Sequence, residues 1–324
     1  MHTAEDLLQS VNEALDRENF HREPRELYEP ITYIISLGGK RIRPVMLLMA
    51  VDMYGGDLQL AMPAALGIEI FHNFSLVHDD IMDRAPLRRG KPTVHEKWNA
   101  NTAILSGDTM LVKAYEQFLK LPEPLIKQVL TVFNHTATGV CEGQQLDMNF
   151  EERVDVSITE YLEMIRLKTA VLIGAALKLG SIAAGAPEED QQQLFDFGIH
   201  TGLLFQLRDD LLDTYGDAAV FGKKLYGDII ANKKTFLFLK AMEFTSGKER
   251  RKLAELYANP SIAPEIKVKK VMDYFDDADV KKQTEYKIQE HYELAREAFM
   301  ALKVAEENKK PLKNYTQQLM ERNF

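Results

Sequence analysis

Cysteine is nearly absent: Cys141 is the one such residue in 324. It has no partner for an internal disulfide, so the fold is expected to rest on a buried core and to suit a reducing, cytoplasmic compartment. A basic excess is also lacking. Lys and Arg number 40 against 49 Asp and Glu, a formal net charge of −9. That argues against general nucleic-acid binding, which needs a cationic footprint. An anionic substrate stays open, because the local sign at a site decides its binding. No run of about 18 apolar residues occurs, so no integral membrane segment is expected. The polar, acidic first residues carry no signal-peptide pattern. No Gly-, Ser- or Pro-rich linker divides the chain, and no low-complexity tract or β-type alternation of any length is found. Hydrophobic residues make up 45% of the chain, ample for a core. The expectation is an all-α chain forming one domain over residues 1–324.

What is present is acidic and paired. Two runs read Asp-Asp-x-x-Asp: Asp79-Asp80-Ile81-Met82-Asp83 and Asp209-Asp210-Leu211-Leu212-Asp213. Each follows an apolar stretch of helical character (Ala64 to Val77; Leu194 to Leu207). Residues i and i+4 of a helix share a face about 6 Å apart along the axis, so each run turns at least two carboxylates the same way. Carboxylates on an apolar helix are unfavourable without compensation, the more so at the C-terminal end, where the helix dipole is negative. A hard divalent cation with oxygen ligands compensates them, and Mg²⁺ completes its coordination with water and phosphate oxygens. Cations and glycines follow both runs: Arg88-Arg89-Gly90-Lys91-Pro92 after the first, Gly222-Lys223 and Lys233-Lys234-Thr235 after the second. Such bases suit the remaining oxygens of a diphosphate. A third basic cluster, Lys40, Arg41 and Arg43, lies where one helix ends at Gly38-Gly39 and the next begins near Pro44. A solvated acidic helix end and a solvated basic turn are the alternatives for any one of these clusters alone.

Taken with Gly143-Gln144-Gln145-Leu146-Asp147, Lys168-Thr169-Ala170 and Phe205 through Asp213, these motifs occur in one order from residue 38 to 235. In that order the chain resembles the trans-isoprenyl diphosphate synthases, the head-to-tail polyprenyl synthetases that include farnesyl and geranylgeranyl diphosphate synthases. The resemblance implies an all-α bundle of about ten core helices around a central cavity, working as a homodimer. It implies about two or three Mg²⁺ per site, held by Asp79, Asp80, Asp83, Asp209, Asp210 and Asp213. Lys40, Arg43, His72 and Arg89 would bind isopentenyl diphosphate. Arg88, Lys168, Lys223 and Lys233 would bind the allylic diphosphate. The Thr169 hydroxyl and the Gln206 side chain would face the allylic cation, with Gln144 and Asp147 supporting metal and substrate from outside. Thr169 could equally bond its own helix backbone.

The implied chemistry is ionisation of the allylic diphosphate, attack by the double bond of isopentenyl diphosphate and loss of a proton. No side-chain base is named, since the released diphosphate can take that proton. The growing product would run beside the helix that bears the first acidic run. Ser75, Phe74 and Phe71 lie about 6, 7.5 and 12 Å upstream of Asp79 by helical rise. A bulky floor there favours a short product, and the resemblance, with an aromatic five residues upstream, a small residue beside it and no insertion in the acidic run, implies twenty carbons over fifteen; ordinary core packing is the other reading of the two phenylalanines. A class I terpene cyclase shares paired acidic runs, but Lys40–Arg43 and Arg89 would be surplus in it. A non-catalytic partner subunit usually lacks one acidic run, and this chain has both.

Elsewhere, residues 3–18 are expected to form an amphipathic helix on Leu7, Leu8, Val11 and Leu15, and Pro24 and Pro30 to break the following stretch, leaving a short helix from Ile31 to Leu37. Ser157-Ile158-Thr159-Glu160 has the form of a capping box, opening a helix expected to continue to about Leu179.

Overall fold

Apolar stripes at helical spacing become helices almost throughout. The computed structural model describes residues 1–18, 20–216 and 225–321. Thr3 and Asp6 cap α1 (Ala4–Arg17) reciprocally, and Leu7, Val11 and Leu15 form its buried stripe. Helix α2 (Arg25–Ser36) corrects an expectation: Pro24 is its N-cap, and Pro30 lies inside it rather than ending it. A proline there forfeits one backbone bond, but its ring is buried in the helix's apolar face beside Ile31 and Ile34. Helices α3 (Ile42–Met53), α4 (Leu58–Met82), α5 (Val94–Lys97) and α6 (Ala100–Phe118) follow, then α7 (Glu123–Glu152). Between α4 and α5 lies one small antiparallel hairpin, Leu87 opposite Pro92 and Arg88 opposite Lys91.

The Ser157–Glu160 capping box forms as expected and opens α8 (Ile158–Ile165). The helix does not run on regularly: Arg166–Ala170 is a π-turn before α9 (Val171–Ala183). Then come α10 (Glu188–Tyr215), α11 (Gly227–Ile230), α12 (Phe236–Phe244), α13 (Gly247–Ala258), α14 (Pro264–Asp277), α15 (Val280–Met300) and α16 (Glu306–Glu321). The fold is all-α.

The chain groups into two compact units, interleaved in sequence. One comprises Met1–His135, Ala175–Phe195 and Leu302–Tyr315; the other comprises Thr136–Gly174, Asp196–Ala301 and the residues from Thr316. In the first unit, α4 is the central element, packed against α3 and α6. By length and composition α4 could cross a membrane, but 67% of its most apolar stretch is buried. It is a core helix, which explains why it is apolar on nearly every side. In the second unit, α12 packs on α8 and α15, and Phe197 of α10 meets Phe299 of α15 with ring centroids 4.9 Å apart.

Candidate active site

In the first unit, α4 delivers the first acidic run at its C-terminal end, with Asp83 as the C-cap. The hairpin turns the chain back so that Arg88 reaches this run. Its Nε and Nη2 donate to Asp80 at 2.7 to 3.0 Å, and Nη2 stands 3.6 Å from Asp79 Oδ2. Burial pushes the Asp80 carboxyl above its usual range, and Arg88 opposes that shift.

One turn and more upstream, His72 and Arg43 meet at 3.1 Å, Nε2 to Nη1. Burial holds the His72 imidazole well below its ordinary pKa, and the charges of Arg43, Arg89, Arg88 and Arg41 add to this. His72 is therefore neutral and accepts from Arg43. Arg89, in the left-handed region at φ +53°, donates to the Gly38 carbonyl. Gly39 is required for this: its φ is +138°, and a Cβ there would lie 2.7 Å from Arg89 Nη2. Arg43, His72 and Arg89 thus belong to one electropositive neighbourhood, while Lys40 is exposed. Arg41 is spoken for differently. It is buried, ion-paired to Glu69 at 2.6 Å and donating to Ile35 O at 2.7 Å, while Asn73 donates to the same Glu69 carboxylate at 2.9 Å. Glu69 and Asn73, spaced i,i+4 in an otherwise apolar stretch, were the available signal for this buried network.

Below the first acidic run, Phe71 and Phe74 are buried and stand 5.5 Å apart. Phe74 leans on His78 at 4.8 Å and Phe71 on Phe133 at 5.1 Å, with Phe118 behind Phe133 at 4.6 Å. The Ser75 hydroxyl donates to the His72 carbonyl at 2.8 Å.

In the second unit, Lys168 and Thr169 sit on the π-turn, a local widening of the helix often found at functional positions. Packing accounts for it. Gly143 of α7 lies so close that a Cβ would stand 2.3 Å from Lys168 N, and a Cβ on Gly202 of α10 would stand 2.5 Å from Ala170 Cα. The turn is thus pressed from two sides by helices that carry glycine at the contact. Lys168 Nζ is 2.6 Å from Asp147 Oδ2, so Asp147 holds the lysine that the sequence pattern assigns to the allylic diphosphate. Gln144 Nε2 is buried with no hydrogen-bond partner among the described residues.

The second acidic run lies in the last two turns of α10. Asp209 is exposed and Asp210 buried. Asp210 accepts from the Tyr161 hydroxyl and from Gln206 Nε2 at 3.2 Å. Its carboxyl is pushed up to about 8, by burial first and by the charge of Asp228 next. Asp213 accepts from the backbone N–H groups of Gly227 and Asp228 at 3.2 and 3.0 Å, capping α11. Lys223 lies outside the described residues. Tyr161 and Asp228 escaped the sequence reading: a tyrosine on an amphipathic helix reads as core, and its partner is 49 residues away.

These donors fit a hard cation. Both runs offer carboxylate oxygens and neither thiolate nor imidazole, the set that suits Mg²⁺. Asp80 and Asp210 are both held above the usual carboxylate range, in each case chiefly by burial.

The polyprenyl synthetase family profile matches residues 24–275. The chain belongs to the polyprenyl synthetase family. It is 43% identical over 235 residues to a geranylgeranyl diphosphate synthase of Methanosarcina mazei, covering 72% of each chain. It is 38% identical over 264 residues to a geranylgeranyl diphosphate synthase of Sulfolobus acidocaldarius, covering 80% of each. A crystal structure of a geranylgeranyl pyrophosphate synthase superposes with a TM-score of 0.94 at 45% identity over 99% of both chains. This polyprenyl synthetase is therefore an enzyme of the prenyltransferase class, and the all-α expectation and the family resemblance both hold.

Proposed function

We propose that this polyprenyl synthetase elongates allylic diphosphates with isopentenyl diphosphate, head to tail, and releases geranylgeranyl diphosphate as its main product. The observation that carries this reading is the presence of two intact acidic runs, each with basic residues assigned to it, together with a separate basic cluster at Arg43, His72 and Arg89. A cyclase has one diphosphate to bind and no use for the separate cluster.

In this reading, Asp79, Asp83 and Asp209, supported by Asp80, Asp210 and Asp213, would hold Mg²⁺, which when bound neutralises charge on the leaving diphosphate. Arg88, Lys168, Lys223 and Lys233 bind the allylic diphosphate oxygens and stabilise the negative charge that grows as the C–O bond breaks. Asp147 orients Lys168. Lys40, Arg43 and Arg89 bind isopentenyl diphosphate, with neutral His72 accepting from Arg43 and so able to orient it. Thr169 and Gln206 lie by the allylic carbon; since Gln206 donates its amide N–H to Asp210, its carbonyl oxygen is the end left for the cation. Phe71, Phe74 and Ser75 set the floor for the growing chain. We read residues 1–324 as one catalytic domain, acting in the cytoplasm as a homodimer.

The test is product analysis by mass after incubation with Mg²⁺, isopentenyl diphosphate and five-, ten- or fifteen-carbon allylic diphosphates, one at a time. A twenty-carbon diphosphate is expected from each. A stop at fifteen carbons would keep the reaction and raise the floor, making the enzyme a farnesyl diphosphate synthase. Hydrocarbon formed without isopentenyl diphosphate would overturn the reading in favour of a cyclase. Consumption of no substrate would point to a partner subunit.

A further inference from the structure

Lys233 is assigned above to the allylic diphosphate, and the segment that presents it is short and irregular. Tyr226 and Asn232, at φ +66° and +62°, bracket α11 in left-handed conformations, which asparagine tolerates better than most residues and tyrosine does not. Such a segment holds its shape only where its surroundings fix it.

It is fixed at both ends. At the start, Asp213 of the second acidic run receives the N–H groups of Gly227 and Asp228, and its carbonyl accepts from Tyr226 N at 2.7 Å. At the exit the grip comes from α13 and α14. Tyr257 of α13 is buried, its ring stacked 3.9 Å from that of Phe238. Its hydroxyl donates to the Lys233 carbonyl at 2.6 Å, with the Asp228 carbonyl 3.4 Å away. Lys267 of α14 is 4% exposed. Its ammonium donates to the Asn232 side chain and lies 5.0 Å from the centre of the Tyr257 ring.

A buried ammonium and a buried phenol are both unfavourable without partners. Methionine and phenylalanine would fill the same space without that penalty. The polar ends of both side chains converge on two consecutive residues, Asn232 and Lys233. We propose that Tyr257 and Lys267 are positioning residues of the allylic-diphosphate subsite: they clamp the backbone at Asn232–Lys233 so that the Lys233 ammonium is presented to the diphosphate. The inference rests on the assignment of Lys233 to that diphosphate.

The test is steady-state kinetics on the full-length enzyme with geranyl and isopentenyl diphosphates, for Tyr257→Phe, Lys267→Met, Lys233→Ala and the Tyr257→Phe/Lys233→Ala pair. Tyr257→Phe keeps the ring stack and removes one hydrogen bond. KM for geranyl diphosphate is expected to rise by about 3- to 10-fold in both single clamp variants, the range of one lost hydrogen bond. KM for isopentenyl diphosphate should stay within about twofold, and Tyr257→Phe should add nothing once Lys233 is gone, the non-additivity of residues acting through one group. An unchanged KM for geranyl diphosphate in Tyr257→Phe and Lys267→Met, with Lys233→Ala raising it, would overturn the clamp and leave the Lys233 assignment standing. So would additive effects in the pair, or a loss of thermal stability with unchanged KM values. An unchanged KM in Lys233→Ala would overturn the assignment, and the clamp with it.

Discussion

Arg41 and Glu69 each leave 3% of their side chains exposed. Two such charges persist inside a core because each neutralises the other and Ile35 O and Asn73 supply further hydrogen bonds, although Arg41 Nε has no partner among the described residues. Removing one partner strands the other in an apolar setting, at a penalty of about 3–5 kcal/mol. Glu69→Leu is therefore expected to lower unfolding free energy by about that amount in a denaturant titration. Arg41→Met with Glu69→Leu should recover most of the loss, because no lone buried charge is left. A second prediction belongs to Gly143. A methyl group there would need the space 2.3 Å from Lys168 N, which is backbone and cannot yield without moving the π-turn. Gly143→Ala is expected to reduce kcat/KM for the allylic substrate by at least about tenfold, since small misplacements of a positioned charge weigh heavily on rate. Steady-state kinetics with the allylic diphosphate varied would read this, and an unchanged value would detach the π-turn from the site.

Between elements, α10 and α15 of the second unit are joined by an imidazole pair, His200 Nδ1 to His291 Nδ1 at 3.2 Å. Burial, then the neighbouring His200, lowers His291 to about 4, and burial lowers His200 as well. In the unfolded chain both return to about 6.5. Between those values the unfolded state binds more protons than the folded state. Stability is therefore fully present above about pH 6.5 and is lost as pH falls toward 4. Asp210, raised to about 8, acts in the opposite sense over the same range, so the pair is read by difference. In melting curves the stability of the native protein relative to His291→Gln should fall as pH is lowered from 7.5 to 5, and a difference that stays constant with pH would refute this role of the pair.

The same element shows what the sequence could reveal. The helix of residues 188–215 was legible from its apolar run, and its acidic end from residue spacing alone. The His200–His291 pair was not, because 91 residues separate the partners and each histidine lies on an ordinary amphipathic face. Likewise the sequence motif marks Lys168 and Thr169 on a helix, but not the π-turn that carries them, which is packed against glycines at positions 143 and 202, on other helices. Pro30 was misread because a proline's local penalty was weighed without the burial of its ring. Local periodicity and short motifs are written in consecutive residues, whereas buried pairs and close crossings are properties of packing.

At the scale of the whole molecule, α6 presents an apolar strip that its own chain leaves uncovered. Ile104, Leu105 and Val112 are exposed along it, Leu105 at 59% and Val112 at 57%, and Leu119 lies just beyond the helix at 58%. Positions 104, 105, 108, 112, 116 and 119 recur on one helical face, with Asp108 and Glu116 interrupting the strip. Single exposed apolar residues need no explanation, but a contiguous row along a helix is the usual mark of an association surface. A helix that pairs with its own copy about a two-fold axis buries the same row twice, and neighbouring side chains can extend the contact toward the roughly 1,200–2,000 Å² of a stable interface. The expected solution state is a dimer with this strip at its centre. Sedimentation equilibrium should give twice the chain mass for the native protein, and Leu105→Asp with Val112→Asp should shift it toward one chain mass, since two buried charges facing two more across the axis cannot pair. A native monomer would refute the dimer. A variant that stays dimeric would move the interface away from α6 and leave the apolar strip needing another explanation.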